Sequence, residues 1–383
     1  MSELADEQAA LRREVRRFAE AEIAPFAVAW DSDDDDYPRQ LFAVLGKLGW
    51  LGIGFDERLG GSGGGPVERC ILFEELTRAS AGVALGIYVH TALAAAALSE
   101  VASAELAREL VPPLLRGEAT GAWAYAEPDA GADVTRVRLA ARRDGDAYVL
   151  NGSKTYITNA TFADLVLVVA RTAGEPGRLA GLSVFAVDGE SAGLTRTKLR
   201  KLGMHPSELA ELHFADCAVP AARMVGELDA GFRQCLAVLS RGRVFAGAMS
   251  LGLAGAAFEA AISHVGTREQ FGGPLAQQQA VRFAIAEMTL RLRAARMLVY
   301  EAAALLAAGR DFDTEASIAK VVASETATWV SERALHLFGA QGFMLESPVQ
   351  RFYRDCKILE WGEGTNEVQR EMIFRAAAAG YRP

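Results

Sequence analysis

Between Arg354 and Glu371 the chain reads Arg-Asp-Cys-Lys-Ile-Leu-Glu-Trp-Gly-Glu-Gly-Thr-Asn-Glu-Val-Gln-Arg-Glu, and one carboxylate, Glu363, stands between Gly362 and Gly364. Thr365 and Asn366 can cap the helix that follows. A loop of this kind displays a single acid and lets the backbone approach a planar ligand closely. It also turns the first helical amides toward an anionic or polar cofactor edge. Taken alone, Glu-Gly-Thr equally fits a solvated loop ahead of an ordinary C-terminal helix. Three further stretches carry side chains that packing does not demand. Trp123-Ala-Tyr-Ala-Glu-Pro-Asp-Ala-Gly-Ala-Asp133 is an aromatic strand that breaks into a Pro and Gly turn, and Tyr156-Ile157-Thr158 puts a ring and a hydroxyl at the end of a β-type run. Arg268-Glu-Gln-Phe-Gly-Gly-Pro-Leu275, followed by Gln279, sets a fixed cation and a ring at a break between helical patterns. Such a break suits a phosphate and a flat heterocycle. Each stretch has a plainer alternative: a capped turn, an exposed hairpin ring, an interhelix salt bridge.

The elements that must position these groups follow from pattern. With 383 residues, 51% of them apolar, the chain can bury the cores of two or three domains. Leu11, Val15, Phe18 and Ile23 open a helical region that continues through a stripe at Leu41, Val44, Leu45 and Leu48. The acidic run Asp33 to Asp36 reads as a solvated loop, and Gly60 to Pro66 as a loop between helices, since it lacks a dinucleotide-binding register. Ala79 to Ala104, nearly uncharged, predicts a helix buried on most sides. From Gly121 the texture turns to β. Asp144-Gly145 and Asn151-Gly152 read as hairpin turns, and strands are predicted at Leu165 to Val169, Leu182 to Val187 and Leu212 to Phe214. After Gly226 helices return: Val281, Ile285, Met288, Leu292, Ala295 and Val299 form the seam of a bundle helix that Gly309 stops, and Asp313 reads as the cap of the next, carrying Ile318, Val322 and Trp329. The expected fold is mainly α with a β middle domain, over residues 1–119, 120–228 and 229–383, with a cleft where the three meet.

Composition excludes some functions. A net charge of -9 leaves no basic excess for nucleic acid or an anionic membrane. Met1 to Pro25 reads as an amphipathic charged helix, no run of about 18 apolar residues is expected, and the address read from this is cytoplasmic. Cys70, Cys217, Cys235 and Cys356 lack paired spacing and read as reduced core thiols. No metal site is read from His90, His205, His213, His264 and His336.

Taken together and in order, these stretches resemble the acyl-CoA dehydrogenase family over essentially the whole chain. The matching text is Ala-Glu-Pro-Asp-Ala-Gly-Ala-Asp, Asn-Gly-Ser-Lys-Thr-Tyr-Ile-Thr-Asn, Lys201-Leu-Gly-Met, Arg-Glu-Gln-Phe-Gly-Gly-Pro-Leu, Phe338-Gly-Ala-Gln-Gly-Phe343, and Arg-Asp with Glu-Gly-Thr. The resemblance implies an N-terminal helical domain, a β-barrel-like middle domain and a C-terminal four-helix bundle, with FAD between barrel and bundle and a dimer or dimer of dimers. It implies that Glu363 takes the α proton of an acyl thioester while the β hydrogen leaves as hydride to the flavin, giving a trans-2-enoyl product. It places Trp123, Tyr125, Ala126, Tyr156, Ile157 and Thr158 at the flavin ring. Arg268, Phe271, Gln279, His336, Gly339 and Ala340 fall on the FAD of a neighbouring subunit, with Thr365 and Glu367 beside the cofactor. Arg243 matches a family arginine behind the base, and Ala132, Ser240, Gly362 and Gly364 fall on the substrate path.

The departures are informative. Some relatives carry the base on the helix that here has Gly242, so Glu363 is the one acid available. Ala126, Ala132, Ser240 and His264 stand where threonine, serine, an acidic residue and tyrosine are frequent, and these changes leave the thiol carrier open. Glycine at 362 leaves space that favours a short or branched acyl group. The resemblance implies acyl-CoA dehydrogenation with an electron-transferring flavoprotein as acceptor. The alternatives are an acyl or aminoacyl group on a carrier protein, an acyl-CoA oxidase, or a non-catalytic flavin-binding subunit.

Overall fold

The computed structural model describes residues 4–32 and 37–382, so the acidic run at 33–36 lies outside the described residues. The N-terminal part is helical: α1 (Asp6–Glu22), α2 (Ala27–Ser32), α3 (Gln40–Lys47), α4 (Pro66–Ala79), α5 (Ala81–Tyr88), α6 (Ala96–Val101) and α7 (Ala104–Leu115). The uncharged stretch is not one helix from Ala79. Ser80 leaves helical geometry and accepts the Val83 amide at 3.5 Å, which starts α5, and a π-helical segment, Val89–Ala95, joins α5 to α6. In the glycine loop before α4, a side chain at Gly61 would sit 1.9 Å from the Phe55 carbonyl oxygen, so close packing fixes that glycine.

The middle region holds β1 (Gly121–Ala124), β2 (Ala140–Asp144), β3 (Ala147–Thr158), β4 (Leu165–Arg171), β5 (Leu182–Asp188), β6 (Leu194–Lys198), β7 (Leu209–Pro220) and β8 (Met224–Val225). They run in the order β6-β7-β3-β2-β4-β5-β8, with β1 parallel to β4. Side-chain alternation gives the sheet two cores. Val166, Val168, Phe185 and Val187 turn into the barrel-like interior, while Leu165, Leu167, Val184 and Ala186 join the helical core. The same alternation sends Ala122 and Ala124 inward and Trp123 outward to the helices.

One expected hairpin is absent. Asn151-Gly152 is not a turn but a bulge inside the single strand β3, where the register to β7 shifts between Leu150 and Gly152. Asn151 spends its amide on Asp216 of β7, donating to Oδ1 at 3.1 Å and accepting the Asp216 N–H at 2.9 Å. Gly152, at φ 137°, lies where a Cβ would come 2.9 Å from the Leu139 Cα. The real turn follows Asp144. The strand predicted at Leu212 to Phe214 is the longer β7, and β6 was not anticipated.

The C-terminal bundle comprises α8 (Gly231–Thr267), α9 (Gln279–Ala307), α10 (Asp313–Phe338) and α13 (Asn366–Ala378), with the short α11 (Pro348–Asp355) and α12 (Ile358–Trp361) between the last two. A two-strand turn of β9 (Glu269–Gln270) and β10 (Gly273–Pro274) separates α8 from α9. Met288, Ala295 and Val299 of the predicted seam are buried, and Gly309 turns the chain at φ 64°. Asp313 is the first helical residue, not the cap; Phe312 holds the cap position without a side-chain bond. Contrary to expectation, among the described residues two helices, Ala81–Val101 and Gly231–Thr267, are long and apolar enough to cross a membrane. However, 94% and 72% of their apolar windows are buried inside the protein, as core helices require.

Two buried ionic groups fasten the parts. Glu74 on α4 accepts from Arg12 Nη2 and Arg296 Nη1, each at 3.1 Å, and from the Tyr300 hydroxyl at 2.6 Å, which ties α1 and α9 to one carboxylate. In the barrel, Lys154 Nζ donates to Glu127 Oε1 at 2.7 Å and to the Tyr125 carbonyl at 2.9 Å. Burial lowers the Lys154 pKa to about 8, with Glu127 opposing. Glu127 also accepts the Arg138 amide at Oε2, 2.8 Å, and the Leu139 amide at Oε1, 3.0 Å. Lys154→Met would leave this carboxylate buried without its cation, at a cost of about 3–5 kcal/mol. The urea midpoint is expected to fall accordingly with an unchanged slope.

Candidate active site

Glu363 sits on the loop between α12 and α13 with its backbone at φ 56°, a left-handed conformation that costs a residue with a side chain about 1–2 kcal/mol. Its neighbours hold it there. Lys320, buried on α10, donates from Nζ to the Glu360 carbonyl at 2.8 Å, the Gly364 carbonyl at 3.0 Å and Asn366 Oδ1 at 2.8 Å. Gln369 Nε2 donates to the Glu363 carbonyl at 3.0 Å. Thr365 caps α13 by accepting the Val368 N–H at 3.3 Å. Among the described residues the Glu363 N–H itself donates to nothing.

The Glu363 carboxylate is enclosed by three helices. Its Oε2 lies 2.6 Å from the point where a Gly242 Cβ would stand, and the Tyr88 hydroxyl lies 2.7 Å from that same point. Burial raises the Glu363 pKa; the Tyr88 hydroxyl, Arg243 and Lys320 pull it back in that order. Yet neither Glu363 Oε2 nor Tyr88 Oη completes a hydrogen bond of good geometry, and Arg243 Nε and Nη1 are also buried without partners. Burial lowers the Arg243 pKa, with Asp313 and Glu363 opposing, and brings Lys320 to about 8. Tyr125, raised by its own burial, feels the Glu363 charge and faces Phe232 of α8 with ring centroids 6.4 Å apart.

The residues singled out from sequence divide into separate groups. Glu363, Gly362, Gly364, Thr365, Arg243 and Tyr125 gather at the acid, with Trp123 turned toward the same helical core and its Nε1 buried without a partner. Tyr156 and Thr158 end β3. The Tyr156 ring is 67% exposed at φ 59°, whereas the Ile157 side chain turns into the barrel interior, which leaves only its backbone for the cleft. The Ala126 carbonyl is taken by the Thr155 N–H at 2.9 Å. Ala132 lies on an exposed loop, Ser240 is half-buried on α8, and Glu367 is exposed on the first turn of α13.

Arg268, Phe271, Gln279, His336, Gly339 and Ala340 are not at the acid at all. Gly242 and Arg268 stand far apart along α8, roughly 39 Å at about 1.5 Å per residue. His264 stacks on Phe338 at 4.0 Å, which brings the α8 end and the α10 end together, and all six residues are exposed there. Phe271 is 95% exposed at φ 55°. Tyr88, Lys320 and Gln369 were missed from sequence. The available signals were a lone hydroxyl ring in an uncharged helix and a lysine among Ile318 and Val322 on a buried seam.

Three adjoining family descriptions match: "Acyl-CoA dehydrogenase, N-terminal domain" over residues 5–118, "middle domain" over 122–217 and "C-terminal domain" over 229–378. The chain belongs to the acyl-CoA dehydrogenase family, whose members are FAD-dependent oxidoreductases. A probable acyl-CoA dehydrogenase, YngJ, of Bacillus subtilis is 38% identical over 97% of this chain and 98% of its own length. Butyryl-CoA dehydrogenase from Megasphaera elsdenii superposes with a TM-score of 0.95 at 35% identity, covering 99% of this chain and 100% of that one. The prolyl acyl carrier protein oxidase AnaB superposes with a TM-score of 0.93 at 27% identity, covering 99% and 100%.

The notch at Gly242 gives a structural prediction. In Gly242→Ala the new methyl meets both the end of Glu363 and the hydroxyl of the packed Tyr88 ring, so the melting temperature should fall as the glutamate is pushed aside. A crystal structure of that variant should show the carboxylate moved out of the notch.

Proposed function

We propose that this protein dehydrogenates a short or branched acyl-CoA between Cα and Cβ, with Glu363 as the base that takes the α proton. The observation that carries this is one buried acid, raised in pKa by its burial, on a loop whose own N–H is free to bind a carbonyl oxygen. The α proton is acidic only if negative charge developing on the thioester oxygen is stabilised, and a fixed amide donor in an enclosed site does that. The Tyr88 hydroxyl, Arg243 and Lys320 oppose the rise that burial gives the Glu363 pKa, each favouring the carboxylate that takes the proton. The surface fits FAD: a partnerless buried Trp123 Nε1, an exposed Tyr156 ring at the end of β3, and an exposed Arg268 and Phe271 at the bundle end. Bound there, FAD supplies the acceptor for the β hydride. Trp123, Tyr125, Ala126, Tyr156, Thr158, Thr365 and Glu367 would hold the flavin of their own subunit.

The long separation along α8 supports the reading that Arg268, Phe271, Gln279, His336, Gly339 and Ala340 serve a neighbouring subunit's FAD, in a dimer or dimer of dimers. Electrons would pass to an electron-transferring flavoprotein, the acceptor class that the family resemblance suggests. The similarity to AnaB, with Ala132 and Ser240 on the substrate path, favours one alternative: a carrier-protein thioester.

Anaerobic titration of the FAD-loaded protein with butyryl-CoA, isovaleryl-CoA and octanoyl-CoA tests the reading. Bleaching of the flavin by a short or branched ester is expected, and silence from every free thioester would move the substrate to a carrier protein. Glu363→Gln should retain FAD and lose about 10²–10⁴-fold in bleaching rate. Because the base acts only when deprotonated, the parent rate should fall as pH drops through an inflection above the ordinary glutamate value of about 4.3.

A further inference from the structure

Tyr88 has no step of its own in the mechanism above, yet it is the aromatic hydroxyl packed against the acid. Its ring is locked in the helical core, 5.5 Å from Phe73 in an edge-on contact, and Phe73 in turn lies 5.7 Å from Phe245 on α8. The ring therefore has little freedom, and its Oη points where Gly242 leaves space. That space is shared with Glu363 Oε2, and both oxygens are buried without a hydrogen-bond partner. One is a donor and the other an acceptor. A buried donor and a buried acceptor left unpaired side by side are both destabilising, and a hydrogen bond between them relieves both.

We propose that Tyr88 is a positioning residue for the base, donating from its hydroxyl to the Glu363 carboxylate and seating it in the Gly242 notch. The inference rests on the reading of Glu363 as the base, and it adds which group holds that base and in which ionisation state. A phenol has one proton to give, so the bond favours ionised Glu363 over the protonated acid. The other groups that act on this carboxylate are Arg243 from α8, Lys320 from α10 and Tyr125 beyond β1, and they are unchanged by a substitution at Tyr88. Burial likewise keeps the Tyr88 phenol protonated, with the Glu363 charge adding to the effect. Gly242 is part of the device, because a Cβ there would come within 2.6 and 2.7 Å of the two oxygens and push on both.

The test is a titration of Glu363 itself in the FAD-loaded protein. Infrared difference spectra across pH report the carboxylic C=O stretch, assigned by its absence in Glu363→Gln. Tyr88→Phe keeps the ring, its contact with Phe73 and the fold, which a melting curve checks. Removing the donor should raise the Glu363 titration midpoint by at least about 0.5 pH unit, since hydrogen bonds to charged groups are the strong ones. The low-pH limb of flavin bleaching should move upward with it. A smaller shift, or a shift downward, overturns the proposal; a purely structural role for Tyr88 would lower the melting temperature and leave the midpoint in place. Retained bleaching in Glu363→Gln would instead defeat the reading of the base, whatever the infrared midpoint does.

Discussion

One buried ammonium organises the loop on which the chemistry depends. Lys320 Nζ joins the Glu360 carbonyl, the Gly364 carbonyl and Asn366 Oδ1, so the segment on both sides of Glu363 hangs from one point on α10. This lets a residue with a side chain keep a left-handed backbone, and among the described residues the Glu363 N–H is left without an acceptor. Desolvation lowers the lysine pKa to about 8, and the charges of Glu363, Glu360 and Glu367 oppose that loss. The loop and the cation therefore stabilise each other.

Around that point the fold supplies rigidity through shared cores. The outward faces of β1, β4 and β5 join the helical core, so the barrel and the helices share apolar packing, with Trp123 at the junction. The Glu74 cluster fastens α1 and α9 to α4. The Lys154–Glu127 pair fixes the chain just after β1, where Tyr125 lies within reach of the acid's charge. The split between the acid group and the exposed bundle end is then a consequence of length: α8 is too long to bring Arg268 back to Gly242.

What was legible in the sequence was mostly local. A lone acid between glycines, an Arg and Phe at a helix break, and the change from period 3.6 to period 2 at Gly121 all survive in the structure. Asn151-Gly152 misled because a local turn signal lost to a cross-strand pair with Asp216, a partner distant in sequence. Asp313 misled by one position because acids are favoured both at the cap and in the first turn. Ala79 to Ala104 reads as a buried helix, and the burial holds, but Ser80 interrupts it and Ala81–Val101 is long and apolar enough to cross a membrane where no such run is expected. Tyr88 and Lys320 were invisible for a different reason: each acts through a tertiary contact with a loop distant from it in sequence, whereas Gln369 lies in the helix just after the loop and reaches back to the Glu363 carbonyl.

The claim that most needs testing is that the base works because its loop is anchored. The direct measurement is the anaerobic rate of flavin bleaching by a competent acyl thioester in Lys320→Met, with FAD content and melting temperature recorded alongside. The account predicts a protein that still folds and binds FAD but bleaches about 10²-fold more slowly, because a displacement of about 1 Å at the reacting centre costs that much. A Lys320→Met protein that bleaches at the parent rate would contradict it.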